Sequence, residues 1–155
     1  MNDPSSTQAL PAQEIAAACV RTLWDRDVAS RALGMRIEEV RPGYARLSMP
    51  VRADMINGHH SCHGGFIFAL ADSAFAFACN SANYVTVAAA ASIDFIAPAQ
   101  LDDVLTATAT VQAREGRTGV YDIRVENQAG QLIALFRGRS HQLKEQLIPG
   151  LEVAR

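Results

Sequence analysis

The chain has 155 residues, enough for one domain with a sizeable core. Hydrophobic residues make up 49% and charged residues 19%, a balance that suits extensive burial and excludes a disordered chain. The net charge is −2 with no basic excess and no polybasic run, which argues against nucleic acid and against an anionic membrane as partner.

In chain order, residues 1–11 read as a mobile tail without the charged-then-apolar pattern of a signal peptide. From Ala12 to about Leu33, Ile15, Cys19, Val20, Leu23, Trp24 and Val28 recur at helical spacing, and Gly34 ends the helix. Met35–Val40 and Tyr44–Val51 read as strands about the turn Arg41-Pro42-Gly43. A loop from Arg52 to His63 feeds a helix from Gly64 to about residue 82 that is apolar nearly all round. Asp72 and Ser73 interrupt its apolar run, so a membrane span is not expected. Val85–Ala97 is apolar on both faces and reads as a central, doubly covered strand stopped by Pro98. Leu101–Gln112 and Thr118–Glu126 alternate about a Gly116-Arg117 hairpin, and Gln131–Leu143 is the last strand. Residues 12–145 form a single domain on this reading, with a second tail over 146–155. The simplest arrangement is α+β: a curved antiparallel sheet wrapped around the long apolar helix, the hotdog fold. Cys19, Cys62 and Cys79 make no C-x-x-C pair and no even framework, which fits a reducing cytoplasm.

The chemistry concentrates where that helix begins. Its start reads His63-Gly64-Gly65, where bare backbone N–H groups and the helix dipole favour negative charge. Gly64 and Gly65 are thus candidate oxyanion donors. Asp72 is a carboxylate in an otherwise apolar helix, costly to bury unless it is paired or used, and is the candidate base or nucleophile. Asn57, in the loop before the turn, can orient water by donating and accepting. His59, His60, Cys62 and His63 are too crowded to complete a metal site, and Cys62 reads as a small buried hydrophobe rather than a nucleophile. No metal and no cofactor is expected. Asp72 lies eight residues beyond Gly64, about 12 Å along a helix axis. One chain cannot bring both to one carbonyl group, so the expected site is shared by two subunits of a homodimer.

Asn57-Gly58-His59, Ser61-Cys62-His63-Gly64-Gly65, Leu70-Ala71-Asp72, Phe77-Ala78-Cys79-Asn80-Ser81, Ile93-Asp94-Phe95, Gly119-Val120-Tyr121-Asp122-Ile123 and Ala134-Leu135-Phe136-Arg137-Gly138 together resemble hotdog-fold acyl-CoA thioesterases of the phenylacetic-acid-degradation type. The resemblance spans roughly residues 30–142. It implies an Asp base or nucleophile at Asp72, with Asn57 and His63 placing water and substrate and the Gly64 amide polarising the thioester carbonyl. It also implies shared sites, often in a homotetramer, and favours aryl-acetyl or hydroxyphenylacetyl-CoA as substrate. Some relatives carry a Ser or Thr on the strand after the helix; here that stretch is Val87-Ala88-Ala89-Ala90-Ala91, so such a group is absent or displaced to Thr86 or Ser92. Arg114, Arg117, Arg137, Arg139 and Lys144 are candidate partners for CoA phosphates, equally readable as solvated surface charges, with Arg137, Arg139 and His141 on one strand face. A hotdog hydroxyacyl-thioester dehydratase and a non-catalytic acyl-CoA-binding module are the alternatives. The first fits the H-G-G turn less well, and the second gives the Asp72 carboxylate nothing to do.

Overall fold

The computed structural model describes residues 8–154. Helices α1 (Ala12–Arg26) and α2 (Val28–Ala32) precede strands β2 (Arg36–Arg41) and β3 (Tyr44–Pro50), and the long helix α3 (Gly64–Cys79) follows. After it come β4 (Tyr84–Phe95), β5 (Val104–Glu115), β6 (Thr118–Glu126) and β7 (Leu132–Gln146). These six strands form one antiparallel sheet in the order β2-β3-β5-β6-β7-β4. α3 crosses its inner face, touching β3, β4, β5, β6 and β7. This is the hotdog arrangement expected from the sequence. Among the described residues no helix is long and apolar enough to cross a membrane.

The strand alternation sets which residues reach α3. Ala45, Leu47 and Met49 of β3, Leu105, Ala107 and Ala109 of β5, and Tyr121, Ile123 and Val125 of β6 are buried against it, while their neighbours in sequence face outward. The helix answers with Ile67, Leu70, Ala71, Ala74, Phe75 and Ala78, all buried. Phe75 is the pivot: its ring stands 5.5 Å from Tyr121 and 6.0 Å from Phe136 between centroids, both tilted as aromatic pairs prefer. It fits only because β7 carries Gly138, where an added Cβ would lie 2.7 Å from the ring.

Several boundaries differ from the sequence reading. The first helix is two, because the Asp27 side chain accepts from the Ser30 N–H (2.9 Å) and caps a new start. α3 ends at Cys79, where the Asn80 side chain donates to the carbonyls of Ala76 and Thr86 and accepts from the Thr86 N–H. The strand expected over 101–112 is displaced to Val104–Glu115. The two expected tails are in part structured: β1 (Gln8–Leu10) pairs in parallel with β8 (Leu151–Val153). Leu10, Leu147, Ile148 and Leu151 pack on Ile15 and Cys19 of α1 as a second small core. Buried Asn83 pins this segment by donating to the Ile148 and Leu151 carbonyls and accepting from the Ile148 N–H. Residues 1–7 of the expected mobile tail, and residue 155, lie outside the described residues.

The largest correction concerns β4. It is not central: among the described residues it pairs only with β7 and forms the edge of the sheet. Val87–Ser92 are exposed, and so are Phe95 and Ile96. The opposite edge, β2, is blunted by Arg36, Glu38, Glu39 and Arg41 and a register shift, as free edges usually are. β4 has two register shifts of its own, at Tyr84/Thr86 and Ala88/Ala90, but it carries no charged side chain before Asp94.

Gly138→Ala is expected to lower stability by about 1–3 kcal/mol, because the new methyl group must displace a fully enclosed ring. A urea titration against the parent chain measures it, and an unchanged midpoint would show that Phe75 can move aside.

Candidate active site

The turn that starts α3 is held from several sides. The His63 N–H donates to the Met55 carbonyl and the Cys62 N–H to the Ala99 carbonyl, both at 2.8 Å. The Asn57 N–H donates to the Ser61 carbonyl, and the Asn57 Oδ1 accepts from the N–H groups of His59 and Ser61 and from the Ser61 hydroxyl. The carboxamide oxygen is therefore committed to its own loop. What Asn57 offers outward is its Nδ2 donor alone, so it can hold an oxygen but cannot accept a proton from water. This narrows the role read from the sequence.

His63 is the N-cap of α3, and its Nδ1 accepts from the Gly65 N–H at 3.1 Å. The Gly65 amide is thus taken, which removes it from the pair of expected oxyanion donors. The Gly64 N–H, at the first helical position, has no intrahelical partner. Gly64 lines an open cleft with Asn57, Ser61, Cys62, Ile67, Phe95, Ile96 and Pro98. The Phe95 ring lies so close over Gly64 that an added Cβ would meet it at 2.9 Å. A bare backbone is required there by this contact, while the amide stays on the cleft wall. Cys62 shares the cleft, but burial first and the Asp103 charge second push its thiol up to about 11, which leaves it a protonated apolar group rather than a nucleophile.

Asp72 lies elsewhere. It lines a separate cavity with Asp27, Ser30, Leu33, Met35, Ala69, Ser73 and Ala76, and no residue lines both cavities. Among the described residues no side chain hydrogen-bonds its carboxylate, and burial raises its pKa above the ordinary aspartate value. Next to it, the Ser73 and Ser30 hydroxyls are 2.8 Å apart and the Ser30 hydroxyl is 2.6 Å from Asp27 Oδ2. So one chain carries two separate features: a donor cleft at the start of α3 and a carboxylate cavity two turns along it.

Residues 59–134 match the family described as the thioesterase superfamily. The chain is 49% identical over 121 residues to the acyl-coenzyme A thioesterase PaaI of Escherichia coli, covering 78% of this chain and 86% of that one. The chain belongs to the thioesterase superfamily. Its structure is similar to that of the E. coli PaaI protein from the phenylacetic acid degradation operon, with a TM-score of 0.85 at 44% identity over 87% of this chain and 98% of the other. A mutant of the phenylacetic acid degradation protein PaaI from Thermus thermophilus superposes with a TM-score of 0.73 at 37% identity, over 76% of this chain and all of the other.

The remaining candidates for a thioesterase site are dispersed. Arg137 does share an exposed face of β7 with Arg139 and His141, but its guanidinium is held by Asp122 across the sheet, at 2.6 and 2.8 Å. That hydrogen-bonded pair pulls the Asp122 carboxyl below the usual range. Arg137 is thus already engaged, whereas Arg139 forms no ion pair among the described residues. Arg114 and Arg117, at the β5–β6 hairpin, share a small pocket with Thr86 of β4, and Ser92 lines a groove on the outer sheet face with Asp94 and Arg137. Neither Thr86 nor Ser92 reaches the Asn57 cleft or the Asp72 cavity.

A carboxyl group whose pKa is raised by folding costs stability where it is ionised. The cost is absent below its unfolded value and complete above the raised one. Asp72→Asn is therefore expected to melt at or above the parent temperature at about pH 7, with the difference closing as the pH falls toward about 4. Thermal melts across that range check it. A lower melting temperature for the variant at neutral pH would mean that the carboxylate is held by a favourable contact.

Proposed function

We propose that the protein hydrolyses acyl-CoA thioesters to the free acid and CoA, at two equivalent sites each shared by two subunits. The observation that carries this reading is the division of labour along α3. A free Gly64 amide and the Asn57 Nδ2 donor stand at one end, and a desolvated carboxylate without a fixed partner stands eight residues on. β4 supports the second subunit. Its exposed apolar stretch, Val87–Ala91, invites another strand, and a two-fold axis beside it would pair β4 with its own copy in antiparallel fashion. The donor cleft includes Phe95 and Ile96 at the end of that same edge, so covering β4 brings a neighbour to the cleft. The homotetramer that the resemblance implies would join two such dimers.

In this arrangement the thioester carbonyl oxygen accepts from the Gly64 N–H and the Asn57 Nδ2–H, donors fixed before the charge develops and often worth about 3–4 kcal/mol each in such sites. The partner's Asp72 removes a proton from water as the water oxygen bonds to the carbonyl carbon. The tetrahedral intermediate then collapses, the C–S bond breaks, and the proton passes from the partner's Asp72 to the departing CoA thiolate. His63 acts through the backbone, capping α3 so that Gly64 keeps its position. Arg139, Arg114 and Arg117 are the basic residues offered to the CoA phosphates. The likeness to PaaI favours aryl-acetyl or hydroxyphenylacetyl groups on the acyl side. With Cys19, Cys62 and Cys79 all free, the cytoplasm is the compartment we assign.

Thiol release from a panel of acyl-CoAs, run beside hydration of an enoyl-CoA, tests the activity. Hydrolysis with a preference for aryl-acetyl thioesters is expected, and hydration without hydrolysis would turn the reading to the dehydratase. Asp72→Asn should lower kcat by about 10²-fold or more with the fold intact.

Complementation tests the shared site. Asn57→Asp keeps the oxygen that holds the loop and loses the donor, so it and Asp72→Asn each disable both sites of their own dimer. A hybrid of the two retains one complete site and should regain up to half the activity of an intact dimer. Purified hybrids that stay folded, dimeric and inactive would place the catalytic pair within one chain.

A further inference from the structure

Ser30 is buried, and its hydroxyl has one proton to give. Its 2.6 Å partner, Asp27 Oδ2, can only accept, so Ser30 donates there. The 2.8 Å contact between Ser30 and Ser73 then has one direction: the Ser73 hydroxyl donates and Ser30 accepts. Asp27 is itself fixed, because its other oxygen caps α2 through the Ser30 N–H. The relay Ser73→Ser30→Asp27 therefore leaves Ser73 Oγ with its lone pairs as its only free hydrogen-bonding capacity, in the same cavity as the Asp72 carboxylate.

We propose that Ser73 Oγ is the second acceptor for the attacking water, with Ser30 and Asp27 as positioning residues that act through it. The inference rests on Asp72 being the base. Water held by two acceptors has both protons committed, and the lone pair that remains is free to bond to the thioester carbon. Asp72 takes one proton in the reaction and Ser73 Oγ holds the other, which leaves with the carboxylic acid product. The relay has a second effect. It stops the Ser73 hydroxyl from donating to the neighbouring carboxylate, a bond that would stabilise the ionised form and weaken the base. The titratable group that shares the cavity is Asp27, and Cys79 lies farther along α3, its thiol pushed up by burial to about 12 with Asp72 contributing.

The test is a set of five full-length variants assayed for kcat, KM, the acid limb of the kcat–pH profile and thermal stability. Ser73→Ala should lower kcat by about tenfold or more with KM within about twofold, and Ser73→Thr, which restores a hydroxyl, should recover most of it. Ser30→Ala should lower kcat less and move the acid limb to lower pH, since the freed Ser73 hydroxyl then stabilises the Asp72 carboxylate. In the Ser73→Ala background, adding Ser30→Ala should cost no further turnover, because Ser30 acts only through Ser73. Asp72→Asn separates the two readings. If it remains active, the base assignment fails and this inference with it. If it is inactive while Ser73→Ala keeps the parent kcat, this inference alone is overturned. A Ser30→Ala chain that melts earlier but keeps its acid limb and kcat likewise reduces the relay to a structural tie.

Discussion

A helix that is apolar nearly all round has to be enclosed, and the rest of this molecule follows from enclosing α3. The sheet curves over it from β3 to β7, and β7 gives up a side chain at Gly138 so that Phe75 can reach Tyr121 and Phe136. The enclosure is incomplete at two places, and both are chemical. At the N-terminus the helix must present backbone without intrahelical partners, and there the Gly64 amide opens on a cleft. Two turns later α2 covers the helix only partly, leaving Asp72 and Ser73 on a cavity wall. The same constraint fixes their separation, since rise per residue along a helix cannot be adjusted. A fold that needs a long straight helix for its core has its donor and its carboxylate too far apart for one chain.

That separation and the exposed edge of β4 answer one another. An edge strand exposing Val87, four alanines and Phe95, with Ile96 just beyond it, would be an aggregation hazard on a lone subunit. The charges of β2, Arg36, Glu38, Glu39 and Arg41, show that this sequence does blunt an edge that stays open. Leaving β4 uncharged from Tyr84 to Ile93 makes sense if the strand is completed by its own copy. The small alanine side chains then allow the two strands to approach without crowding either face.

The order of elements, the hairpins and the long helix were legible in the sequence, because periodicity reports burial directly and burial is what α3, β5 and β6 share. β4 was misread for an instructive reason. A strand apolar on both faces has the same sequence signature whether its covering comes from its own chain or from another, so periodicity cannot separate a central strand from an intermolecular edge. The break between α1 and α2 was hidden because the apolar spacing continues through it, and only the capping bond from Asp27 reveals the new start. Of the site, Asn57, Gly64 and Asp72 could be found as residue types out of place: an amide, a bare backbone and a charge in an apolar setting. Which of their atoms remain free could not. That the Asn57 oxygen is spent on its loop, that His63 occupies the Gly65 amide, and that Arg137 is bound by Asp122 are facts of rotamer and register that spacing does not encode.

In the proposed shared site the electrostatics of the two halves point in opposite directions, which is what would let their union do chemistry. At the donor cleft the helix terminus and the Asn57 amide offer partial positive charge without any ionised group, so a neutral carbonyl is tolerated and the charge of a tetrahedral intermediate is favoured. At the carboxylate cavity, burial makes ionised Asp72 expensive and therefore eager for a proton. In the proposed dimer each subunit contributes one half to each site. Bringing a second copy's cavity to the cleft does not cancel the two by direct contact, because the donors are neutral dipoles and not cations. Under the proposed function, water and a thioester would lie between them, and only as the water loses its proton would charge move from the side where it is costly to the side where it is welcome.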